Sequence, residues 1–403
     1  MQRNMLIGQS GGPTVAINAS LSGAIKRAMK TSEIGEIYGA INALEGALKG
    51  KLVSLKPMFR SQEDFERLEA TPAMVLGSNR YKLPPYPDAV YEQFLNVLKQ
   101  HDIGFFLYIG GNDSMDTILK LSEYFKKVGE DIRCVGIPKT IDNDLSGTDH
   151  TPGFGSAALY VATSVAEIAC DSSVYDLPSI SIVEIMGRNA GWLTAASALA
   201  RRKGCSAPHL IYLPEVPFDP EDFIKKVRET LQRERNVVVA VSEGIRLANG
   251  DYVSAVKEKV DDFGHQSLAG VGKYLEHLVQ KNIDCKVRSI EMNILQRSAS
   301  HLRSSVDIDE ACRIGAEAVT FAVNGATGVM AGFRRVSNFP YLVSYECVDI
   351  LEVANLEKKV PLEWISSDGC DITDDIVNYI KPLIAQKNSA SIPEFFQLSH
   401  DFV

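Results

Sequence analysis

Short apolar runs alternate with amphipathic stretches along most of the chain, and turns rich in glycine and polar residues separate them. This pattern predicts parallel strands with helices on both faces of the sheet. The strands are predicted at residues 4–9, 104–109, 134–137, 179–185, 209–213 and 237–241. The helices are predicted at residues 14–29, 115–128, 155–169, 188–200, 220–235 and 265–281. We therefore expect a doubly wound α/β fold.

The chain has 403 residues, which is enough for two core-forming domains. A polar segment before Pro152 marks a break between them. We predict one domain from residues 1–151 together with about 295–327, a second from 152–294, and a C-terminal extension of 328–403. The extension has two β-type runs, around Phe333 and Leu342, and an amphipathic helix at residues 371–385.

The composition narrows the classes of partner. The formal net charge is -9, whereas proteins that bind nucleic acids or membrane surfaces concentrate Lys and Arg. No apolar run is long enough to span a bilayer. The 7 cysteines form no CxxC pair, which is typical of buried thiols in a reducing compartment. We expect a cytoplasmic protein that binds neither nucleic acid nor membrane.

Two glycine turns each join a predicted strand to a predicted helix, at residues 10–13 (SGGP) and 110–114 (GGNDS). Backbone amides and a helix N-terminus at such a turn favour an anion such as phosphate. Glycines in these turns also have a purely steric explanation. Asp113 is either a helix cap or a neighbour of a metal-bound phosphate.

Residues 138–144 (PKTIDND) follow a predicted strand and combine a cation, a hydroxyl and two carboxylates. Phosphoryl transfer needs these groups together: positive charge for the developing oxyanions, a carboxylate base and oxygen ligands for Mg²⁺. The alternative is a solvated loop rich in Asp and Asn.

Further polar residues follow or interrupt the predicted strands of the second domain. Glu184 lies within a strand and Arg188 follows it, while Glu243 follows the most apolar strand. Each either faces a site or has a structural role, as an ion-pair partner or a cap. Arg288 and Arg297 flank a β-type segment and either lie on the surface or bind a substrate phosphate.

The order of these motifs resembles that of the phosphofructokinase family over roughly residues 5–324. The shared motifs are Gly11, Gly12 and Asn18, residues 77–80 (GSNR), the 110–114 turn, TIDND at 140–144, MGR at 186–188, Glu243 and the two arginines. The TIDND and MGR pair at this spacing is the most specific part. The resemblance implies two Rossmann-like domains with the active site in the cleft between them, and a homodimer or homotetramer.

The resemblance also implies roles for single residues. Asp142 is implied to be the base that deprotonates the 1-hydroxyl of fructose 6-phosphate, with Thr140 at the transferring phosphoryl group and Arg188 at the transition state. The implied donor ligands are Gly11, Gly12, Arg80, Gly111 and Ser114. The implied sugar-phosphate ligands are Thr140, Ile141, Asp142, Met186, Gly187, Arg188, Glu243, Arg288 and Arg297. Asn112 and Asp144 are implied to hold Mg²⁺.

Two positions bear on the phosphoryl donor, because ATP-using members have glycine where this chain has Asp113 and Lys139. An Asp at the first position occupies the space of a nucleotide α-phosphate and repels it. A Lys at the second supplies charge near the leaving phosphate. The resemblance is therefore to the pyrophosphate-dependent branch, and both residues are assigned to the catalytic set.

The chain departs from the family at several positions. Asn112 replaces an Asp that positions the metal, and an amide is a weaker Mg²⁺ ligand. Ile294 replaces a His or Tyr near the sugar phosphate, a contact that His301 is a candidate to replace. Ser179 and Ser22 replace arginines of the partner-subunit phosphate site and of the effector site, which argues against control by nucleotides.

Two other hypotheses stay open. One is an ATP-dependent kinase on the same fold, acting on fructose 6-phosphate or on another sugar phosphate such as sedoheptulose 7-phosphate. The other is a non-catalytic sensor or regulatory subunit, which is expected to lose the base or the MGR arginine. Thr140, Asp142 and Arg188 are all present, so an enzyme is favoured.

Overall fold

The computed structural model describes residues 2–174, 176–202, 204–253, 255–260, 266–268 and 270–385. Its strands are β1 (Arg3–Gln9), β2 (Ile34–Ala40), β3 (Leu52–Ser54), β4 (Ile103–Gly110), β5 (Arg133–Pro138), β6 (Ser179–Ile185), β7 (Leu210–Tyr212), β8 (Asn236–Ser242), β9 (Ala255–Val260), β10 (Gln266–Leu268), β11 (Lys286–Glu291), β12 (Val329–Asn338) and β13 (Tyr341–Asp349).

The α-helices are α1 (Ile17–Ala28), α2 (Ala43–Leu48), α3 (Gln62–Ala70), α4 (Ala89–Gln100), α5 (Asn112–Val128), α6 (Phe154–Ser173), α7 (Trp192–Ala196), α8 (Pro220–Leu231), α9 (Val271–Asn282), α10 (Leu295–Ser298), α11 (Ser305–Val323) and α12 (Asp374–Ile380). Short 3-10 helices lie at Lys56–Met58, Ser197–Ala200, Ser300–Leu302, Ile350–Glu352, Leu362–Trp364 and Lys381–Ile384.

The chain forms two compact units. Unit 1 contains residues 1–156 and 297–358, and unit 2 contains residues 157–296 and 359–403. The predicted C-terminal extension therefore contributes to both units. The assignment of one unit to the donor and the other to the sugar phosphate stays a prediction.

Unit 1 is built on a sheet of strand order β13-β12-β5-β4-β1-β2-β3, parallel except for the β12–β13 and β2–β3 pairs. Alternate residues of its strands enter two separate apolar cores. Leu6 of β1 packs in one core, which includes residues of α2, α4 and α5. Met5 and Ile7 pack in the other, with residues of α1, α3 and α11. Because successive side chains of a strand point to opposite faces, helices cover both faces, as predicted.

Unit 2 contains a parallel sheet of order β11-β6-β8-β7. Val237, Val239 and Val241 of β8 pack with apolar residues of α8 and α9 in one core. The predicted α/β class is thus confirmed in both units. No helix within the described ranges has the length and apolar character that a bilayer span requires.

Three predicted helices begin later than expected. Helix α1 begins at Ile17 rather than at Thr14, because the Thr14 Oγ1 atom accepts the N–H groups of Ala16 and Ile17 in a turn. Helix α7 begins at Trp192 rather than at residue 188, after a loop that bends at Arg188 and Asn189. Helix α9 begins at Val271, after Gly270 in a left-handed conformation (φ 80°).

The prediction of helix at 266–268 is wrong, because those residues form β10. Positions 265 and 269 lie outside the described residues. The prediction of uniformly buried thiols is also wrong: all seven cysteines are free, but Cys347 on β13 is exposed.

Candidate active site

In unit 1 the turns carrying the predicted donor residues lie together, because β1, β4 and β5 are adjacent parallel strands. Their carboxyl ends are at one edge of the sheet, where doubly wound sheets bind ligands. The Lys139 N–H donates to the Gly110 carbonyl at 2.9 Å, joining the ends of β5 and β4. Ser10 and Ser114 hydrogen-bond through their hydroxyls, joining the ends of β1 and β4.

Two cations converge on the glycine turn after β1. The Lys139 ammonium donates to the Gly12 carbonyl at 2.6 Å. A Cβ at Gly11 would lie 3.3 Å from Lys139 Nζ, and a Cβ at Gly12 would lie 3.3 Å from Arg297 NH1. Side chains at these two positions would crowd the cations, so the glycines permit the close approach of positive charge to the turn.

The second glycine turn opens α5. Gly111 is its N-cap, and Ser114 lies on the first helical turn, where backbone N–H groups attract anions. Asp113 forms an ion pair of 3.8 Å with Lys82, and both side chains are about half exposed. Within the described part of the chain, the buried Asn112 Oδ1 atom has no hydrogen-bond partner.

The predicted GSNR segment reaches the first turn. The Ser78 hydroxyl donates to the Gly11 carbonyl at 2.8 Å. Gly77 has a left-handed φ of 72°, and a Cβ there would meet the side chain of Asn42. The Arg80 side chain, two residues further on, is exposed. The segment thus borders the glycine turn after β1, and the role of Arg80 as a donor ligand stays a prediction.

The TIDND loop (residues 140–144) follows β5. The Asp142 N–H donates to the Thr140 hydroxyl at 3.1 Å, which closes a tight turn. Ile141 is buried, and Asn143 is fully buried with a left-handed φ of 53°. Such a φ is tolerated by Asn better than by most residues, so Asn143 fixes the direction of the chain beside Asp142.

The electrostatics of this loop are unusual. The Lys139 side chain is only 2% exposed, and burial lowers its pKa to about 7, although Asp142 acts in the opposite direction. Burial, and next the charge of Asp142, raise the pKa of Asp144. Bound phosphate charge favours the ammonium, so a ligand is expected to restore the full charge of Lys139.

Lys358, which the sequence analysis does not single out, reaches the loop from the segment after β13. Its ammonium donates to Asn143 Oδ1 at 3.3 Å and to the carbonyls of Thr148 and Asp149 at 3.2 and 2.6 Å. Burial lowers the pKa of this lysine as well, to about 7. No local signal marks Lys358, because it lies 215 positions from Asn143 along the chain.

A buried network continues from Asp149. His150 lies between Asp149 and Glu310, with 2.8 Å contacts to each, and stacks on Phe333 at 4.5 Å. Arg335 donates to the Asp149 carboxylate at 2.8 Å. Burial opposes the charges, but these hydrogen bonds outweigh it: the pKa of Asp149 is lowered and that of His150 raised.

In unit 2 the MGR segment follows β6. The Met186 N–H donates to the buried Gln296 side chain at 3.2 Å, and the Gly187 carbonyl accepts from the Ser242 hydroxyl. Gly187 has a φ of 145°, and a Cβ there would lie 2.6 Å from the Ala190 carbonyl oxygen. The Gly187 N–H points to Glu243 Oε1 at 3.5 Å, which brings the predicted acid to this segment.

The arginines are placed differently from one another. Arg188 is half-buried, and its Nε atom is without a hydrogen-bond partner among the described residues. Arg288 lies within β11 and does not flank it, so that part of the sequence prediction is wrong. Arg288 pairs with Asp171 of α6 at 3.2 Å. It belongs to unit 2 and Arg297 to unit 1, and their shared role at one phosphate stays a prediction.

Buried carboxylates hold the segments around MGR. Glu184 accepts the Gly272 N–H at the start of α9 at 2.7 Å, and burial raises its pKa. Glu215 accepts the N–H groups of Gly191 and Val360 at 2.9 and 3.0 Å, and burial raises its pKa too. Glu184 thus holds a main-chain N–H, whereas the sequence predicted either an ion pair with a nearby cation or a position facing the site. Glu215 follows β7 in a Pro-Glu pair, a signal that the sequence analysis missed.

The residues of unit 1 fit a divalent cation held mainly by substrate. Among the residues that the structure describes, no three His, Cys, Asp or Glu side chains form a metal-binding group. The unpartnered Asn112 oxygen and the Asp144 carboxyl are oxygen ligands of the kind that Mg²⁺ accepts. Mg²⁺ commonly uses one or two protein ligands and completes its shell with phosphates and water.

Comparison with known proteins extends the similarity over nearly the whole chain. A family model described as phosphofructokinase matches residues 4–322. The pyrophosphate–fructose 6-phosphate 1-phosphotransferase of Xanthomonas campestris pv. campestris is 41% identical, covering 98% of this chain and 96% of its own. The protein of the same name from Methylococcus capsulatus is 39% identical over 98% of this chain and 96% of its own.

A solved structure agrees with these relatives. The pyrophosphate-dependent phosphofructokinase from Marinobacter aquaeolei has a TM-score of 0.85 and 37% identity, and the match covers 98% of this chain and 94% of that chain. The similarity therefore includes both units and the C-terminal residues, beyond the motifs.

Proposed function

The chain belongs to the phosphofructokinase family, and we propose that it catalyses reversible phosphoryl transfer from pyrophosphate to the 1-hydroxyl of fructose 6-phosphate. The products are fructose 1,6-bisphosphate and inorganic phosphate. The relatives that carry this activity in their names match over nearly their full length, which supports the same reaction here.

The observation that carries the proposal is the convergence of Lys139 and Arg297 on the Gly11–Gly12 turn. The Lys139 ammonium is bonded to the Gly12 carbonyl at 2.6 Å, and Arg297 NH1 lies against Gly12. In the described residues the Lys139 side chain has this single hydrogen bond, so two of its three donors stay available for phosphate oxygens. A buried cation with two unused hydrogen-bond donors supports a compact, highly charged phosphoryl donor.

Asp113 supports pyrophosphate over ATP. Its carboxylate lies on the first turn of α5, in the glycine turn at residues 110–114 that is predicted to bind phosphate, and pairs with Lys82. A negative side chain there repels the further phosphate of a nucleotide. Lys139 supplies the positive charge that stabilises the phosphate leaving group.

In the proposed reaction, Asp142 accepts the proton of the sugar 1-hydroxyl, and that oxygen attacks the near phosphorus of pyrophosphate. The bond from this phosphorus to the bridging oxygen breaks, and the phosphate leaves with Lys139 beside it. Thr140 and the amide of Gly12 contact the transferring group, while Gly11, Arg80, Gly111 and Ser114 hold the donor.

The sugar phosphate is assigned to the remaining residues. We propose that Met186, Gly187 and Glu243 contact the sugar and that Arg188 stabilises the transition state. Ile141 lines the acceptor beside Asp142, and Arg288 and Arg297 bind the 6-phosphate. Binding of that phosphate requires Arg288 to exchange its ion pair with Asp171, which is exposed and weak.

Enzymes of this family generally use a divalent metal, and we propose Mg²⁺, with Asn112 and Asp144 as protein ligands. The ion would neutralise charge on the phosphate oxygens as it develops. We further propose a cytoplasmic homodimer or homotetramer.

The test is a coupled assay with purified protein, fructose 6-phosphate, Mg²⁺ and either pyrophosphate or ATP. We expect turnover with pyrophosphate and little with ATP, and formation of pyrophosphate from fructose 1,6-bisphosphate and phosphate. Turnover with ATP alone would refute the donor assignment but not the reaction type. Absence of turnover with both donors would refute the proposed function.

A further inference from the structure

The segment after β13 (residues 350–358), called here the C-terminal segment, contacts the end of the TIDND loop. Glu357 forms an isolated antiparallel bridge with Leu145, and the Lys358 N–H donates to the Asp144 carbonyl at 2.8 Å. The main chain of this segment therefore lies directly along residues 144–145, which lead out of the loop.

The Lys358 side chain adds three further contacts. Its ammonium donates to Asn143 Oδ1, the Thr148 carbonyl and the Asp149 carbonyl. An ammonium has three donors, and these acceptors use all of them. The side chain is thus committed to the protein and has no donor left for a substrate, in contrast to Lys139.

The acceptors of Lys358 lie in the TIDND loop and in the segment that follows it. Asn143 follows Asp142 directly, is fully buried, and has the left-handed φ that turns the chain. If the ammonium is removed, the Asn143 oxygen and two carbonyls each lose this hydrogen bond, and the loss of buried hydrogen bonds destabilises the arrangement that they hold. The expected consequence is a shift of Asp142 relative to the groups that it serves.

We infer that Lys358 is a positioning residue, which fixes the carboxylate of Asp142 by binding the TIDND loop from the C-terminal segment. This inference rests on the proposed role of Asp142 as the base. It gives the C-terminal segment of unit 1 a function in the reaction, although the segment lies far from the family motifs in sequence.

The experiment compares Lys358→Met with Lys359→Met, its exposed neighbour, in the full chain. We expect Lys358→Met to lower kcat about 10- to 100-fold, because small displacements of a catalytic group have effects of that order. The KM for pyrophosphate should change little, because Lys358 has no donor for it. Lys359→Met should behave like the parent protein. Equal activity of the two variants would overturn the inference.

A double substitution separates positioning from general damage. When the base is already removed by Asp142→Asn, adding Lys358→Met should lower kcat hardly further. An equal fold-loss in both backgrounds would overturn the inference. If Asp142→Asn itself keeps full activity, the proposed base is wrong, which is a separate outcome. The donor that supports turnover in the coupled assay is used throughout, so the donor assignment is not a condition of this test.

A second variant covers the case in which Lys358→Met does not fold. Asn143→Gly keeps the left-handed backbone but removes the Oδ1 acceptor, and glycine adopts this conformation without strain. We expect a folded variant in which kcat falls less than in Lys358→Met. Unchanged kcat in this variant, with Lys358→Met unfolded, would also overturn the inference.

Discussion

The candidate site segments of the two units are held in place by side chains of opposite charge. In unit 1 the Lys139 ammonium donates to the Gly12 carbonyl, and the Lys358 ammonium donates to two carbonyls that follow the TIDND loop. In unit 2 the carboxylates of Glu184 and Glu215 accept main-chain N–H groups near MGR. Positive charge thus collects where we propose that phosphate is transferred, whereas the MGR segment is held by hydrogen-bond acceptors.

This difference has a functional meaning. A cation near the transferred phosphoryl group stabilises charge that develops during the reaction. A carboxylate that accepts main-chain N–H groups fixes geometry without attracting phosphate, since it repels anions. We therefore expect substitutions in unit 1 to act mainly on the chemical step and the donor, and substitutions in unit 2 mainly on the acceptor and on stability.

The largest effect is expected for Asp142→Asn in unit 1. Loss of the base should lower kcat roughly 10²- to 10⁴-fold, the usual contribution of general base catalysis. Steady-state rates at saturating substrates measure this change. The KM values should stay near those of the parent protein, since the side chain keeps its shape.

The matched substitution in unit 2 is Glu243→Gln, which also neutralises a carboxylate, here the one beside the Gly187 N–H. Here we expect a rise in the KM for fructose 6-phosphate with a smaller change in kcat, because the side chain is assigned to binding. If Glu243→Gln lowers kcat as strongly as Asp142→Asn does, the division between the units is refuted.

Lys139→Gly has the next largest expected effect. A hydrogen bond to a charged group contributes about 1.5–3 kcal/mol, so the KM for pyrophosphate should rise roughly 10- to 100-fold. The KM for fructose 6-phosphate should change much less. Lys82→Gly is the control, because its 3.8 Å pair with Asp113 is exposed and contributes little. Equal loss of donor and acceptor binding in Lys139→Gly would contradict the assigned role.

Glu215→Ala tests the structural side of unit 2. The N–H groups of Gly191 and Val360 would lose their acceptor, and an unsatisfied buried donor costs about 1–3 kcal/mol. Denaturant unfolding, followed by tryptophan fluorescence, should show a lower free energy of unfolding. Both tryptophans of the chain, Trp192 and Trp364, lie in this unit with ring centroids 6.1 Å apart. The exposed Glu363→Ala should leave the unfolding curve unchanged.

The parallel strands were predictable because each is a short apolar run, and the strand from Ser179 to Ile185 agrees at both ends. No element is predicted between residues 34 and 100, where α3 and α4 form. A local signal was present there: the Ser61 and Asp64 side chains form a capping box at the start of α3.

The candidate site was predictable where its residues lie close together in the sequence. Lys139, Thr140 and Asp142 lie within four positions of one another and were assigned together. The supports of that loop were not predictable, because Lys358 meets it through the fold and no periodicity connects residues so far apart. The start of α7 was misplaced for a similar reason, since Glu215 holds the N–H of its N-cap, Gly191.

The smallest expected effect is on the pH dependence of kcat/KM for pyrophosphate. The pKa of Lys139 is lowered to about 7, so the free enzyme loses the ammonium as the pH rises above that value. We expect kcat/KM, measured at saturating fructose 6-phosphate, to fall by at most about tenfold per pH unit there. Lys139→Arg stays charged and should lose this limb, while titration of pyrophosphate itself affects both proteins equally.

The direction in which stability changes with pH distinguishes this fall in kcat/KM from a loss of activity through unfolding. Between the lowered pKa of about 7 and the ordinary value of 10.5, the unfolded chain holds a proton on Lys139 that the folded chain has released. The free energy of unfolding therefore rises with pH through this group while activity falls. The carboxyls of Glu184 and Glu215 act in the opposite direction, because their raised pKa values make their contribution to stability fall as the pH rises through the acidic range. If kcat/KM still falls above pH 7 in Lys139→Arg, the fall comes from another group, such as Lys358. The comparison of the two units would then be refuted as it stands.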